Sequence, residues 1–373
     1  MKFPVFDLLV LSQAPNIGPG RLRTLVAGFE DPESIYRAGV RDFVQLEGFH
    51  KKISTDLAHF LRGDGIEKAK GFAEEQLSKT NKSSAAILTF WDKGFPDLLR
   101  KIYDPPAFLF CLGSIEHADA SALAVVGTRL PSAYGASVAE KLSHEIAGNG
   151  VTVVSGLARG IDTIAHEAAL KRGGRTIAVI GSGLDKLYPP ENRRLADRIV
   201  EQGCLLSEFP MGTKPDASNF PRRNRIVSGM TLGTIIVETD INGGAMITAS
   251  LALDQNREVF AVPGPVNSRK SRGCNMLIKT GRAKLTEGFD DITNELGPRL
   301  HHVAGKQGRS EVQLPQLTLF EHTVYEALTA DPLHIDQLAE QTGLSTPDAL
   351  VTLLNLEFKN LIRQLPGKMF VRL

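Results

Sequence analysis

Glycines and arginines recur directly after short apolar segments of this 373-residue chain. The turns at 127–129, 155–162 and 181–185 share this character, and Arg129 and Arg159 add positive charge to the first two. Glycine lets the backbone approach an anion closely, and the N–H groups at the start of a following helix can bind that anion. One such turn is weak evidence, but three predict a phosphate-binding site. The alternative is that the glycines only permit tight turns between strands and helices.

A fourth turn, 209–229, gives the most specific indication of an anion-binding site. Its segment 214–225 carries four basic residues and one acidic residue. Three of the arginines crowd the start of a predicted helix, where the positive end of the helix dipole makes clustered cations unfavourable, so we expect an anionic ligand there. The neighbouring Phe220 could stack on a base, as aromatic side chains do in single-strand binding. The alternative is that Phe220 belongs to the core and that one or two arginines pair with Asp or Glu.

The residues that could support catalysis do not form a set. His166 and Glu167 follow Asp162 on a predicted helix, but they complete neither an HExxH motif nor a carboxylate pair. We therefore interpret His166 as structural. Asp185 and Glu208 follow predicted strands, where we expect them to orient arginines or to cap helices. With no nucleophile, base and electrophile in one place, the sequence predicts neither an enzyme nor a bound metal or cofactor.

The composition is that of a globular protein, with 42% hydrophobic and 23% charged residues. The length exceeds that of one ordinary domain of roughly 100–200 residues, so two or three domains are expected. Asp7 interrupts the first apolar stretch and no small-residue cleavage site follows, which disfavours a signal peptide. We expect a cytoplasmic location, with Cys111, Cys204 and Cys274 as buried, reduced thiols because no CxxC pair is present.

The central region, 79–297, alternates short apolar segments with helical patterns such as 132–149. This alternation predicts an α/β fold, an extended Rossmann-like doubly wound parallel sheet with helices on both faces. Ligands of such sheets bind outside the carboxyl ends of the strands, so the turns described above are expected to share one edge. The predicted strands are 123–126, 151–154, 176–180, 204–206, 234–237 and 259–262.

Two smaller domains are expected to flank this region. Residues 1–78 form short helices broken by glycine turns at 16–20 and 46–49, which resembles a helix-hairpin-helix or SAM-like domain. Such turns can bind a DNA phosphate, or they can simply join packed helices. Residues 298–316 are polar and aperiodic, which predicts a linker. Residues 317–373 resemble a winged helix, with helical patterns at 321–329, 334–342 and 346–359 and a hairpin at 365–371.

The regional charge points to the centre of the chain as the part that meets a polyanion. The positive excess lies in 79–297, with 26 basic and 23 acidic residues, and in the linker, with three and one. The first domain has 10 basic and 11 acidic residues, and the winged helix has four and seven. The third helix of the winged helix is apolar and acidic, so we expect packing or protein interaction there rather than duplex binding.

Many spaced motifs in 95–288 resemble the DNA-processing protein A (DprA or Smf) family. This resemblance implies an extended Rossmann fold, a homodimer, and binding of single-stranded DNA that is handed to the RecA recombinase in natural transformation and DNA recombination. The motifs are Phe95–Leu99, Asp104–Leu109, Val126–Arg129, Ser155–Gly156, Gly160–Asp162, Gly181–Asp185, Tyr188–Pro189, Phe220–Pro221, Arg223–Arg225, Thr248–Ala249, Pro263–Gly264 and Gly273–Gly281.

The resemblance also implies which residues line the DNA pocket: Arg129, Ser155, Gly156, Phe220, Arg223, Asn224 and Arg225. One departure is Ala217, where relatives often have a lysine; Lys214 and the additional Arg222 are the candidates to compensate. Together with the residues chosen from the turns, the predicted nucleic-acid site consists of Gly127, Arg129, Ser155, Gly156, Arg159, Lys214, Asn219, Phe220, Arg222, Arg223, Asn224 and Arg225.

Two other functions remain alternatives. Related Rossmann-like folds cleave nucleoside monophosphates, with Glu208 or Glu238 as the candidate carboxylate here. Those enzymes carry a PGGxGT turn, whereas 243–244 places its two glycines in a different frame. A transcription factor that acts through the winged helix is the second alternative, and the acidic third helix disfavours it.

Overall fold

The computed structural model describes residues 3–304, 317–329, 333–359, 361–365 and 367–372. The chain divides into two compact units, 1–304 and 305–373.

Unit 1 begins with a group of short helices around an apolar core that includes Leu8, Leu25, Phe43 and Leu57. The predicted glycine turns join α1 to α2 and α4 to α5. The Arg21 guanidinium donates hydrogen bonds to carbonyls in both turns. Whether this group is of the helix-hairpin-helix or the SAM type stays a prediction. The helices are α1 (Val5–Ser12), α2 (Pro19–Gly28), α3 (Pro32–Arg37), α4 (Val40–Val44), α5 (Lys51–Arg62) and α6 (Gly65–Lys82).

A nine-stranded sheet forms the rest of unit 1, in the order β1-β2-β6-β5-β4-β3-β7-β8-β9. The seven strands from β6 to β9 pair in parallel, whereas β1 and β2 add an antiparallel edge. The strands are β1 (Ala86–Thr89), β2 (Phe108–Gly113), β3 (Ala122–Val126), β4 (Thr152–Ser155), β5 (Thr176–Val179), β6 (Cys204–Ser207), β7 (Gly233–Ile236), β8 (Glu258–Ala261) and β9 (Lys284–Leu285).

Helices cover both faces of this sheet, because the strands are apolar on both sides. All residues of β3, β4, β5 and β6 are buried. Side chains of α8, α9 and α14 pack on one face and those of α11, α12 and α13 on the other. The helices are α7 (Asp97–Arg100), α8 (Ala133–Gly148), α9 (Ile161–Lys171), α10 (Arg193–Gln202), α11 (Asn219–Gly229), α12 (Gly244–Asp254), α13 (Arg272–Lys279) and α14 (Phe289–Ala304).

The structure confirms the predicted doubly wound α/β fold, and the predicted strands differ from the observed ones by one or two residues. The chain runs outward from β3 to β6 in one direction and then returns to place β7 on the other side of β3. The strand order therefore reverses between β3 and β7, and this switch point is where open α/β sheets bind ligands.

A side chain of α6 holds the loop that follows β6. Gln76 is buried; its Nε2 donates a hydrogen bond to the Met211 carbonyl at 3.2 Å, and its Oε1 accepts one from the Met211 amide at 2.8 Å. The N-terminal helices are thereby attached to the turn at 209–229, for which the sequence gives the most specific prediction of an anion-binding site.

The predicted linker at 298–316 is wrong at its start, because α14 continues through this position to Ala304. The polar composition there belongs to the end of a helix that packs Leu296 and Leu300 against the sheet. The rest of the predicted linker, from 305 onward, lies outside the described residues. The other domain boundaries stay predictions.

In its described residues, unit 2 contains three helices and a three-stranded sheet in the order β10-β12-β11, the arrangement of a winged helix. Val324, Leu338, Leu353 and Phe370 share its core. Residue 366, within the predicted hairpin, is outside the described residues, as are 330–332. The elements are α15 (Leu319–Ala327), β10 (Leu333–His334), α16 (Ile335–Thr342), α17 (Thr346–Phe358), β11 (Ile362–Leu365) and β12 (Met369–Arg372).

Candidate nucleic-acid interface

A cleft of about 530 Å³ opens at the carboxyl edge of the sheet, at the switch point between β3 and β7. Its volume is within the range of small-ligand sites, roughly 300–1,000 Å³. The turns after β3, β4 and β7 and the starts of α11 and α12 form its walls. From the predicted site it contains Gly127, Arg129, Gly156, Phe220, Arg223 and Asn224.

Arg129 and Phe220 form one wall of the cleft. The Arg129 guanidinium lies over the Phe220 ring, 5.6 Å from its centroid. Arg129 is exposed and Phe220 half-buried, so both groups remain accessible from the cleft. A guanidinium is a usual partner of a phosphate, and an aromatic ring is a usual partner of a base.

Arg223 lies at the base of the cleft and is only 4% exposed. Its guanidinium donates hydrogen bonds to the carbonyls of Gly156 and Val179. Burial lowers the pKa of Arg223 to about 10, with nearby Asp162 acting in the opposite direction, so the group is charged at neutral pH. Asp162 accepts hydrogen bonds from the Gly156 and Ala158 amides, at 3.1 and 3.3 Å, and burial raises its pKa.

Arg225 does not reach the cleft. It forms a 2.6 Å ion pair with Glu208, and the side chains are 12% and 6% exposed, respectively. The Oδ2 atom of Asp104 lies 3.6 Å from the Nε atom of the Arg225 guanidinium. The charge of Arg225 is thus balanced within the protein, and whether the arginines of this turn also need a bound anion stays a prediction. Arg225 pairs with Glu208, which directly follows β6, as in the alternative interpretation of these arginines, whereas Arg223 donates to backbone carbonyls with Asp162 of α9 nearby.

A smaller pocket of about 20 Å³ adjoins the cleft and shares Arg129, Phe220 and Arg223 with it. Arg159 and Tyr188 add to its walls. Arg159 is exposed and forms an ion pair with Glu191, while the Tyr188 ring lies 5.8 Å from that of Phe220. The predicted Arg159 thus sits beside the cleft rather than in it.

Four other predicted residues lie outside both cavities. Ser155 is buried at the end of β4 and its hydroxyl donates to the Val125 carbonyl at 2.6 Å. Asn219 is buried at the start of α11. Lys214 is exposed on the loop after β6, and the exposed Arg222 lies over the Phe209 ring at 5.3 Å. Contact of any of these residues with nucleic acid stays a prediction.

The opposite wall of the cleft was missed by sequence reasoning. It consists of the turn after β7 and the start of α12, including Asp240, Gly243, Gly244 and Thr248. The glycine pair follows a strand, as in the three turns that were chosen, so the same criterion would have found it. The predicted site omits this pair because its two glycines stand in a different frame from those of the PGGxGT turn of nucleotide-cleaving enzymes.

The other side chains that the sequence analysis considered for catalysis, or for orienting arginines, form hydrogen bonds with neighbouring residues of the fold. His166 is buried and its Nδ1 lies 2.7 Å from the Thr176 hydroxyl, and burial lowers its pKa to about 3. Glu238 accepts hydrogen bonds from the Ser132 amide and hydroxyl at 2.8 and 2.5 Å. Asp185 accepts one from the Gly212 amide at 2.7 Å. His166 is thus bonded at Nδ1 while its Nε2 has no partner among the described residues, and Glu208 pairs with Arg225; a purely structural role for His166 stays a prediction.

In the described part of the chain, no group of three or more His, Cys, Asp or Glu side chains is placed to hold a metal ion. The three cysteines are buried and form no disulfide. No helix among the described residues has the length and apolar character needed to cross a membrane.

Known proteins resemble the chain over nearly its whole length. The sequence profile described as DNA recombination-mediator protein A matches residues 86–297, and that of the DprA winged helix domain matches 309–368. Protein Smf from Synechocystis sp. is 33% identical over 401 aligned residues, which cover 98% of each chain. DNA processing protein DprA from Bacillus subtilis is 46% identical over 208 residues, 56% of this chain and 70% of that protein.

Solved structures agree with these sequence matches. DNA processing protein A from Streptococcus pneumoniae superposes with a TM-score of 0.65 at 34% identity, covering 79% of this chain and 99% of that one. The protein of the same name from Helicobacter pylori gives 0.51 at 32% identity, covering 57% and 96%, and a single-stranded DNA binding mode is described for it. The chain therefore belongs to the DNA recombination-mediator protein A family, also called DprA or Smf.

Proposed function

We propose that this protein binds single-stranded DNA in the cleft at the carboxyl edge of its sheet. The observation that carries the proposal is the Arg129 guanidinium over the Phe220 ring at the switch point of the fold. A strand without a complementary partner exposes both its bases and its phosphates, and this pair of side chains offers a partner to each. The binding mode described for the Helicobacter pylori relative supports the same assignment.

The strand is held mainly by Arg129, Phe220, Asn224 and the backbone at 127 and 156, with Arg223 fixed beneath them. Arg159 contacts the strand where it leaves the cleft past Tyr188. The exposed Lys214 and Arg222 meet more distant phosphates, whereas Ser155, Asn219 and Arg225 act by shaping the turns. This division follows from which side chains the cleft exposes and which it buries.

The protein binds without catalysing a reaction. The carboxylates that an alternative nucleotide hydrolase would use are both engaged. Glu238 is bound by Ser132, and Glu208 is paired with Arg225 outside the cleft. Burial raises the pKa of Glu208, but Arg225 opposes that shift and binds the Oε2 atom of the carboxylate.

The family membership supports a further step in which the bound strand is handed to the RecA recombinase during natural transformation and DNA recombination. The protein acts in the cytoplasm as a homodimer. Support for a second copy comes from the edge strand β9, whose two residues are exposed and include an apolar one, Leu285. An exposed sheet edge of this kind favours pairing with another chain.

The first test is a fluorescence-anisotropy titration of the purified chain with a labelled single-stranded oligonucleotide and with its duplex, at low and moderate salt. We expect preference for the single strand, little dependence on base sequence, and affinity that falls steeply with salt. Arg172→Ala is a matched control for Arg129→Ala. It removes an exposed arginine at the end of α9, on the opposite edge of the sheet. Absence of binding to either DNA, with turnover of nucleotides, would replace the proposal by the hydrolase alternative.

A further inference from the structure

The start of α12 faces Phe220 and Arg129 across the cleft, and it presents backbone donors that have no partner. The helix runs for 11 residues from Gly244, and its N-cap Gly243 has no side chain that could cap it. Gly243, Gly244 and Ala245 line the cleft. In the described part of the chain, neither the Gly244 nor the Ala245 amide makes a hydrogen bond. Unpaired amides at the positive end of a helix attract an anion.

A buried hydroxyl on the same helix points to a ligand independently. Thr248 is 2% exposed, lines the cleft, and lies one helical turn after Gly244, on the same face. Among the described residues its hydroxyl makes no hydrogen bond and is not one of the fully enclosed polar atoms, so it is open to the cleft; threonine hydroxyls in helices usually bond to a carbonyl of the preceding turn. The side chain is otherwise buried, so this unbonded hydroxyl is available to a ligand in the cleft and to little else.

The space and the charge at this end of the cleft suit a phosphate group. A Cβ placed on Gly244 would meet no atom within 4 Å, so a ligand can approach the backbone closely there. The nearby Asp240 is paired with Arg269, and Arg272 lowers the pKa of the same carboxyl, as Arg269 does more strongly. This carboxylate is thus balanced by two arginines, Arg269 in the loop after β8 and Arg272 at the start of α13.

We propose that the start of α12, with the Thr248 hydroxyl, is a second phosphate subsite that faces the Arg129–Phe220 wall. It rests on the proposed function in that a strand crossing the cleft would place one phosphate at each wall. The ligand chemistry is the phosphate of a nucleotide, and it can come from the backbone of a strand or from a free nucleotide.

The test uses two substitutions that leave the fold intact. Gly244→Asp places a carboxylate in open space at the first position of a helix, where negative charge favours the helix. Thr248→Val replaces the hydroxyl by a methyl group of similar volume. Gly71→Asp is the matched control, because Gly71 is exposed on α6, has no atom within 4 Å of its Cβ position, and gains the same charge away from the cleft.

For single-stranded DNA, we expect Gly244→Asp to weaken binding by about tenfold or more, as expected when charge-assisted hydrogen bonds are replaced by repulsion. Thr248→Val should weaken it by a smaller factor of about three to ten, the loss of one hydrogen bond. Gly71→Asp should bind like the unaltered chain. Equal affinity of all four proteins for the strand would exclude the strand backbone as the source of the phosphate.

A second arm measures binding of deoxyadenosine 5′-monophosphate by calorimetry to the unaltered chain and to Gly244→Asp. Binding that Gly244→Asp abolishes would assign the subsite to a free nucleotide, even if the chain bound no DNA at all and the proposed function failed. A subsite that takes only the strand would give no heat with the nucleotide but would retain the Gly244→Asp effect on DNA. If neither the strand nor the nucleotide responds to Gly244→Asp and Thr248→Val, the subsite does not exist.

Discussion

Gly156 and the Arg223 guanidinium share one space at the base of the cleft. A Cβ on Gly156 would lie 2.4 Å from Nη1 and 2.6 Å from Cζ of Arg223, while the Gly156 carbonyl accepts a hydrogen bond from the same Nη1. The glycine at the end of β4 is therefore required by the close approach of a side chain from α11. This contact fixes the position of the most deeply buried positive charge of the site.

Gly156→Ala should displace Arg223 and weaken both the fold and the binding of single-stranded DNA. Arg223 is almost fully enclosed, so an added methyl group overpacks the site at a cost of about 1–3 kcal/mol. Urea denaturation measures the loss of stability and anisotropy measures the loss of binding. Gly71→Ala is the control, since its Cβ meets no atom within 4 Å. Unchanged stability of Gly156→Ala would mean that Arg223 can move freely.

Phe220→Ala and Arg129→Ala should both weaken binding to the single strand, but with different responses to salt. Loss of the ring removes base stacking worth about 1–3 kcal/mol and should leave the salt slope unchanged. Loss of the guanidinium removes a phosphate contact and should reduce the slope of log affinity against log salt by about 0.7. Titrations at several salt concentrations separate the two effects. An equal change of slope in both variants would contradict the assigned roles.

Arg225→Ala should act on stability more than on binding. Its removal leaves the Glu208 carboxylate buried without its partner, and breaking a buried pair costs about 3–5 kcal/mol. The double variant Arg225→Met with Glu208→Met removes both charges and should recover most of that loss. Urea midpoints of the single and double variants provide the comparison. If the double variant is stable but no longer binds DNA, Arg225 contacts the strand after all.

The stability of unit 1 should fall in mild acid because of His166. Burial lowers its pKa in the folded chain to about 3, below its ordinary value of 6.5. Between these values the unfolded chain binds a proton that the folded chain does not, so stability decreases as pH falls below about 6.5, by up to roughly 1.4 kcal/mol per pH unit. His166→Asn removes the titrating group and should flatten this part of the curve, which denaturation at pH 7, 6 and 5 would reveal.

A chain that ends at Ala304 should bind single-stranded DNA as tightly as the full chain. The winged helix belongs to a compact unit of its own, and its helix α17 exposes Leu350, Val351 and Leu354 rather than basic side chains. Exposed apolar side chains on one helix favour a protein partner over a phosphate backbone. The measurement is the anisotropy titration with both chains. A clear loss of affinity on truncation would give the winged helix a part in DNA binding.

The sequence was sufficient for the architecture, because each strand of the parallel region is an apolar segment followed by a helical pattern. β1 and β2 were not predicted. They form the antiparallel edge of the sheet. β2 (Phe108–Gly113) directly follows a segment with a Pro-Pro pair, which is typical of a loop. The end of α14 was assigned to a linker because its polar residues lack a clear period, although Leu296 and Leu300 bind it to the sheet.

The site was only partly predictable, because pairing between distant residues decides what each arginine does. Arg223 and Arg225 are two positions apart on α11, yet one lies at the base of the cleft and the other pairs with Glu208, 17 residues earlier. Sequence shows their charge but not the carboxylates that tertiary structure brings to them. The α12 wall could have been found, since Gly243–Gly244 after β7 repeats the pattern of the other glycine turns.

The contact between Gln76 and Met211 has a consequence for variation within the family. The Gln76 side chain offers the loop one donor and one acceptor, as a neighbouring β-strand would, although it belongs to a helix 135 residues earlier in the chain. The N-terminal helices thus hold the loop that leads to Phe220. None of the residues that line the cleft belongs to these helices. Substitutions in α6 are therefore expected to change the affinity for single-stranded DNA even when every residue that lines the cleft stays the same.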